Sequence, residues 1–358
     1  TRQNSAMDVV LSIDMSGSMG SWNGGKKKID AARDAAKSLI DILYGDEETN
    51  EHLKVGLVPW NGNVNVFLDT SNASPRAGYI PSKTEKKYVS SFKNPNTGDW
   101  QDFVWKITNS PVLLVDEPGP NWKGCVYARY LNDGSTLNDA DDDLGYVDDY
   151  GWKGWEPRIK LVTTTTYSGK KKKKKKTETV ETTCNNCTPC LNHGITPLNQ
   201  SKTRITNAIN KLKNPEGNTD IPQGLSWAWR VLMNTAPFTE GTADDPNKPL
   251  VRAVVLLTDG ANCAADGDGY KEIWGGCGWY STQKMDERAI AIAAKMKAQG
   301  ILIYTIQFGF NDSDAASTLK KIASGTGSPY YQYAPNASTL KAVFETIGTS
   351  LSDLRISK

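Results

Sequence analysis

The chain has 358 residues, a length expected for about two domains, and its 38% hydrophobic and 23% charged residues are ordinary for a globular protein with a core. A formal net charge of +2 is too even to indicate nucleic acid as a partner. No apolar run of about 18 residues occurs, so nothing in the chain is predicted to span a membrane. Any signal peptide or membrane segment is expected to precede Thr1 and to lie outside the chain.

The first 70 residues alternate between strand and helix patterns. A continuous apolar run predicts a buried strand, and apolar residues at three- and four-residue steps predict an amphipathic helix that ends at Gly45. Two further strands are joined through Asn61-Gly62, which is typical of a β-hairpin and predicts one antiparallel strand. The predicted strands are 9–13, 53–58 and 64–68, and the predicted helix is 29–43.

Regular patterns are absent from residues 71–199, which we interpret as an insertion with a small core of its own. Five of the eleven tryptophans lie here and are expected to form that core, with a partner or glycan surface as the alternative. Aspartates cluster at 133–149, and lysines run unbroken through 170–176. Solvated loops are expected for both runs. Ca²⁺ binding by the aspartates, and contact of the lysines with an acidic surface or anionic lipid, are the alternatives.

Six cysteines indicate disulfides and an oxidising compartment, because the count is even and the surrounding sequence is rich in loops. Cys263 and Cys277 flank one glycine-rich loop and are expected to pair. The remaining four are Cys125, Cys184, Cys187 and Cys190. They are expected to form disulfides as well, and a zinc site made of the same four residues is the alternative.

Alternating helices and strands return at residue 200. The predicted helices are 205–212, 222–232, 285–296, 312–324 and 340–351, and the predicted strands are 251–257, 301–308 and 330–333. This alternation predicts an α/β fold, with a doubly wound, mostly parallel sheet, helices on both faces and one antiparallel strand. Residues 1–70 and 200–358 are expected to form this domain together, and residues 71–199 the large, disulfide-containing insertion.

Three segments rich in oxygen-bearing side chains follow predicted strands or begin a predicted helix. Asp14, Ser16 and Ser18 come first, Thr219 second and Asp259 third. Ligands of an open α/β sheet bind beyond the carboxyl ends of the strands, where these segments are expected to meet. Two carboxylates and three hydroxyls, without histidine or cysteine, suit a hard divalent cation such as Mg²⁺ or Ca²⁺.

The order DxSxS, GxTxxxxGL and TDG resembles that of a von Willebrand factor type A domain with a complete metal-ion-dependent adhesion site (MIDAS). The resemblance implies that Ser16, Ser18 and Thr219 bind the metal through hydroxyls and that Asp14 and Asp259 act mostly through water. It implies Mg²⁺, Ca²⁺ or Mn²⁺ as the cofactor. A carboxylate from a protein partner would complete the coordination shell.

A narrower resemblance is to the TadG-like pilus-assembly proteins of bacterial tight-adherence systems. It rests on stretches such as KVGLVPWNGNVNV, ITPLN and NTDIPQGLSWAWRVL. Those proteins carry the domain on the outer side of the inner membrane, behind an N-terminal membrane segment. The resemblance implies an extracytoplasmic location (periplasm, cell surface or secreted) and a pilus or surface component as the partner.

Two enzymatic interpretations fit the sequence less well. Residues 20–26 have the GxxxxGK shape of a phosphate loop, but Lys27 stands where a serine or threonine must bind Mg²⁺. A serine hydrolase needs a base, and neither His52 nor His193 is expected to meet Ser16. We therefore expect no enzymatic activity.

These patterns together predict a metal-dependent protein-binding or adhesion module of a bacterial surface or pilus-assembly system. The alternative is a structural surface or filament subunit in which the metal only stabilises the fold. Partner capture that depends on the cation would favour the first function, and ordered self-association that survives chelation would favour the second. A homo-oligomer is compatible with either.

Overall fold

The computed structural model describes most of the alternating α/β part of the chain and separate pieces of the insertion. The described residues are 5–66, 87–93, 100–106, 124–129, 131–132, 137–138, 140–142, 144, 152, 154, 159–168, 173–182, 189–233, 238–264 and 269–357. Some predictions concern residues outside this set and stay predictions. These residues are Cys184, Cys187, Trp122, Trp155, Lys170 to Lys172 and most of the aspartate cluster at 133–149.

The secondary structure follows the predicted alternation outside the insertion. The strands are β1 (Ala6–Asp14), β2 (Trp22–Asn23), β3 (Lys26–Lys27), β4 (Leu53–Trp60), β5 (Val64–Asn65), β6 (Lys87–Lys93), β7 (Trp100–Lys106), β8 (Cys125–Val126), β9 (Leu131–Asn132), β10 (Leu137–Asn138), β11 (Ile159–Ser168), β12 (Lys173–Thr182), β13 (Thr196–Asn199), β14 (Leu250–Thr258), β15 (Leu302–Phe308) and β16 (Tyr331–Ala334). The helices are α1 (Lys28–Tyr44), α2 (Lys202–Asn210), α3 (Ile221–Leu232), α4 (Gly269–Trp274), α5 (Trp279–Ala298), α6 (Ser313–Ile322) and α7 (Ala337–Ser357), with 3-10 turns at Gly17–Gly20 and Ala140–Asp142. The short helix α4 was not predicted.

Eight strands form the main sheet in the order β16-β15-β14-β1-β4-β5-β8, with β13 paired to β4. All neighbours from β16 to β4 are parallel, so the predicted mostly parallel sheet is confirmed. The sequence predicted one antiparallel strand, whereas β5, β8 and β13 all pair antiparallel to a neighbour. The two additional strands are short and lie within residues 71–199, where no alternating pattern indicates strand pairing.

Helices cover both faces of this sheet. Val9, Leu11 and Ile13 pack in one core with α1, α2 and α7, and Val10 packs in a second core with α3, α5 and α6. Successive side chains of a strand point to opposite faces. The central strand β1 is therefore buried on both sides, which is why it reads as a continuous apolar run.

Helix α3 is buried along its whole length, although its sequence predicts a single apolar stripe. All 12 of its residues are buried. Side chains from the insertion contribute to this burial. The rings of Trp152 and Trp227 lie 5.2 Å apart, and Arg230 Nη2 donates a hydrogen bond of 3.1 Å to Asp141. The insertion thus adds to the core of the α/β part.

Residues 71–199 also extend the main sheet through β8 and β13. The division into a discontinuous α/β domain and a separate insertion stays a prediction.

The expected loop over the lysine run is wrong for Lys173 to Lys176, which begin β12 and pair with the threonine-rich β11. Threonine is β-branched and favours strands, so β11 offers these lysines a partner. In the described part of the chain, no helix is both long and apolar enough to cross a bilayer.

Candidate metal centre

Three loops meet at the carboxyl end of the main sheet. The first loop (residues 14–20) follows β1, the second loop (residues 213–220) leads into α3, and the third loop (residues 258–264) follows β14. Strands β1 and β14 are parallel neighbours, with Ile13 opposite Leu257. The first and third loops therefore leave the sheet side by side.

Backbone hydrogen bonds bring the second loop against the other two. Gly17 N donates to Gly217 O at 2.9 Å, and Cys263 N donates to Thr219 O at 2.8 Å. Asp220 caps α3, because its side chain accepts from the backbone N–H of Gln223. Thr219 is consequently held at the start of a buried helix, between the first and third loops.

Asp14 is fully buried at the end of β1, and both of its carboxyl oxygens accept hydrogen bonds. Ser16 N donates to Oδ1 at 2.7 Å, and Thr258 Oγ1 donates to Oδ2 at 2.7 Å. Burial, and next the nearby charge of Asp259, raise the pKa of Asp14 from 3.8 to about 7. The carboxyl group is thus oriented by the fold, and burial makes its ionised form costly.

The predicted serines are linked to the third loop by side-chain hydrogen bonds. Ser16 Oγ and Ser18 Oγ lie 3.1 Å apart, and Ser18 Oγ donates to Asp259 Oδ1 at 2.6 Å. Gly260 lies beside them and carries no side chain. A Cβ atom there would lie 3.6 Å from Thr219 Oγ1 and 3.8 Å from Ser18 Oγ. The structure therefore brings all five predicted site residues to one edge of the sheet.

The chemistry of these residues fits a hard divalent cation. The donor set contains carboxylate and hydroxyl oxygens, which Mg²⁺ and Ca²⁺ prefer, and Gly260 keeps a side chain out of the space between them. Within the described residues, no three histidine, cysteine, aspartate or glutamate side chains form a group that could hold a metal. The predicted metal site is not such a group, because only two of its five residues are carboxylates and the other three are hydroxyls. Its role as a metal site stays a prediction.

A lysine that the sequence pattern does not single out also reaches this centre. Lys28 is the first residue of α1, and its Nζ lies 2.6 Å from Asp259 Oδ2. The side chain of Asp259 is fully buried, and that of Lys28 is 12% exposed. A lysine at a helix N-terminus interacts unfavourably with the helix dipole. Its presence there therefore indicates that an acidic group elsewhere compensates its charge. Lys26 and Lys27 precede it, however, and no local pattern distinguishes the three.

Two disulfides occur among the described residues. Cys263 pairs with Cys277 as predicted, and Asn218 Nδ2 lies 3.0 Å from Cys263 Sγ. This bond therefore lies against the second loop. Cys125 pairs with Cys190, which removes two members of the alternative four-cysteine zinc site. Residues 20–26, considered above as a phosphate loop, instead contain strand β2 and the first residue of strand β3, which pair with each other.

Residues 194–346 match the family model of the von Willebrand factor type A domain. The match includes Thr219 and Asp259 and begins after the first loop and nearly all of the insertion. This match, together with the mostly parallel sheet and the helices on both of its faces, defines the fold as that of a von Willebrand factor type A domain. A comparison with curated proteins found no significant match.

Solved structures to which the chain is similar include pilus and thread proteins. The pilus adhesin SpaC from Lactobacillus rhamnosus GG is 12% identical, with a TM-score of 0.46, over 99% of this chain and 32% of SpaC. Proximal thread matrix protein 1 from the mussel byssus, with a zinc-occupied MIDAS motif, is 13% identical, with a TM-score of 0.41, over 98% of this chain and 47% of that protein. The adhesive tip pilin GBS104 from Group B Streptococcus agalactiae is 11% identical, with a TM-score of 0.47, over 96% of this chain and 99% of the pilin. The chain thus spans less than half the length of the first two.

Proposed function

We propose that the chain is a protein-binding module that acts outside the cytoplasm and holds a divalent cation between its three loops. The cation, Mg²⁺, Ca²⁺ or Mn²⁺, would take a carboxylate of a partner protein as a further ligand. The observation that carries the proposal is the convergence of Asp14, Ser16, Ser18, Thr219 and Asp259 at one edge of the sheet.

Each of these residues has a distinct part in the proposed centre. A bound cation supplies the positive charge and the Lewis acidity that attract a carboxylate. Ser16, Ser18 and Thr219 would contribute neutral hydroxyl oxygens, and the two aspartates would contribute the negative charge that retains the cation. Because Asp14 is already held by two hydrogen bonds, its orientation does not depend on the cation.

Four exposed aromatic side chains lie close in the chain to residues beside the candidate centre, which supports a protein partner. Among the described residues, the exposed large hydrophobic side chains are Trp22, Trp279, Tyr280 and Phe310. Trp22 and Phe310 directly precede and follow Asn23 and Gly309 in the chain, and a Cβ atom on Gly309 would lie 3.1 Å from Asn23 Nδ2 and 3.2 Å from Lys28 Nζ. Trp279 and Tyr280 follow Cys277, whose Sγ lies 3.4 Å from Asn218 Nδ2 in the second loop. Exposed apolar groups around a polar centre are typical of protein interaction surfaces.

The cellular setting of the module follows from its disulfides and from the family resemblance. Disulfides persist in oxidising compartments, so the two described bonds favour an extracytoplasmic location. A pilus or surface component as the partner rests on the resemblance to the TadG-like proteins. We propose no enzymatic activity.

Cation binding by the purified chain tests the proposal. Titration calorimetry with Mn²⁺ or Mg²⁺ should show one site. Thr219→Ala, which removes a ligand hydroxyl, and Asp14→Ala, which removes a negative charge that retains the cation, should each weaken binding by roughly tenfold or more. Asp353→Ala, at an exposed position of α7, is the matched control and should bind like the wild type. A wild-type chain that binds no divalent cation would overturn the proposal.

A further inference from the structure

The Lys28–Asp259 ion pair is the part of the candidate centre that the proposed function does not use. Lys28 Nζ lies 2.6 Å from Asp259 Oδ2, while the other oxygen of the same carboxylate accepts from Ser18. The Lys28 side chain as a whole is only 12% exposed, and withdrawing its charge from water is costly unless a charged partner compensates. This pair is therefore an electrostatic feature of the centre and not an exposed surface contact.

The backbone at Gly309 lies close to the end of the Lys28 side chain. A Cβ atom on Gly309 would lie 2.9 Å from Lys28 Cε and 3.2 Å from Lys28 Nζ. Lys27, directly before it, is exposed, and Lys26 pairs with Asp34 on the surface of α1. Of three consecutive lysines, the fold turns one toward the candidate centre.

We propose that Lys28 is a built-in counter-ion that weakens cation binding and makes the loaded centre selective for anionic ligands; this rests on the proposed function. With both aspartates ionised, the ammonium group leaves the centre with a single net negative charge. A bound dication then makes the centre singly positive. Without Lys28 the same loaded centre would be neutral, and it would attract a carboxylate less strongly.

Neutral variants of Lys28 test this assignment by direct cation binding. Lys28→Gln keeps a hydrogen-bond donor but loses the charge, so its dissociation constant for Mn²⁺ in titration calorimetry should fall roughly tenfold below that of the wild type. Lys27→Gln makes the same charge change at the exposed neighbouring position and should remain within about twofold of the wild type. Lys28→Arg, which keeps the charge, should also bind like the wild type.

Acetate serves as the probe for the second half of the assignment. Its affinity for the Mn²⁺-loaded protein, measured from the paramagnetic relaxation of the acetate methyl protons, should be severalfold weaker for Lys28→Gln than for Lys27→Gln. A wild-type chain that binds no cation would overturn the proposed function itself. Cation binding that is equal in Lys28→Gln and Lys27→Gln, or equal acetate affinity, would overturn only the assignment of Lys28. Lys28→Met is the second neutral variant. If Lys28→Gln and Lys28→Met both fail to fold, the ion pair is purely structural, and the assignment is overturned as well.

Discussion

At the scale of single residues, the candidate centre depends on charges that burial makes costly. The pKa of Asp14 is raised to about 7, first by burial and then by the charge of Asp259. Below that pH, the neutral carboxyl is the favoured form in the cation-free protein. A cation would reverse this balance, because carboxylates bind metals in their ionised form. Protons and cations should therefore compete for the first loop.

This competition predicts that stabilisation by Mg²⁺ grows with pH. In the unfolded chain the pKa of Asp14 is about 3.9, so between roughly pH 4 and pH 7 the native state holds an additional proton. The stability from that proton is lost progressively as the pH rises from about 4 to 7, and above that range the ionised carboxylate is available to the cation. The rise in melting temperature caused by Mg²⁺ should be larger at pH 8 than at pH 5. In Asp14→Asn the dependence should disappear, and an equal rise at both pH values in the wild type would contradict the prediction.

At the scale of elements, the packing of α3 decides where Thr219 lies. Thr219 stands two residues before α3, and the helix packs tightly against the sheet at Gly224. A Cβ atom on Gly224 would lie 2.5 Å from the ring of Trp60, and Ser12 Oγ donates to Gly224 O at 2.9 Å. The absence of a side chain at this position lets the helix, and the second loop with it, sit directly on β1 and β4.

We accordingly expect Gly224→Ala to affect both stability and the candidate centre. The added methyl group must displace the helix or the buried Trp60 ring, at a cost of about 1–3 kcal/mol in the free energy of unfolding. Because the displacement occurs near the start of α3, cation affinity measured by calorimetry should also fall. Gly327→Ala, where a Cβ meets nothing within 4 Å, is the matched control. An unchanged denaturation midpoint in Gly224→Ala would show that the close contact has no energetic importance.

At the scale of the whole molecule, the two described disulfides have different positions and different expected effects. Cys125 and Cys190 are 65 residues apart and connect parts of the insertion that reach the main sheet. Cys263 and Cys277 are 14 residues apart and lie against the second loop. The first bond closes the longer chain segment, whereas the second is closer to the candidate centre.

Replacing each pair by serine should separate stability from cation binding. Loss of the Cys125–Cys190 bond should lower the free energy of unfolding by about 1 kcal/mol more than loss of the Cys263–Cys277 bond, because the longer loop restricts the unfolded chain more. Loss of the Cys263–Cys277 bond should cause the larger decrease in Mn²⁺ affinity. Denaturant unfolding and calorimetry on both double variants measure the two effects. The reverse order in cation affinity would show that the third loop is held without its disulfide.

Predictions from the sequence succeeded where a structural feature depends on neighbouring residues. The strand at 9–13, the helix that ends at Gly45 and the helix predicted over 312–324 were found from local patterns, and the last of these occupies Ser313–Ile322. The five candidate residues could be placed at one edge because the carboxyl ends of parallel strands share that edge. The short strands β8 and β13 were missed, since each is defined by its partner and not by its own sequence.

Local sequence patterns alone were sufficient for the fold class, for the order of the oxygen-rich loops and for the Cys263–Cys277 pairing. Packing was needed to show that Lys28, and not Lys26 or Lys27, meets Asp259, and that the insertion covers α3. The physical reason is that a charge requires a partner only where it is withdrawn from water. Which charges are withdrawn depends on contacts between segments that are more than 200 residues apart in the chain, such as Lys28 and Asp259.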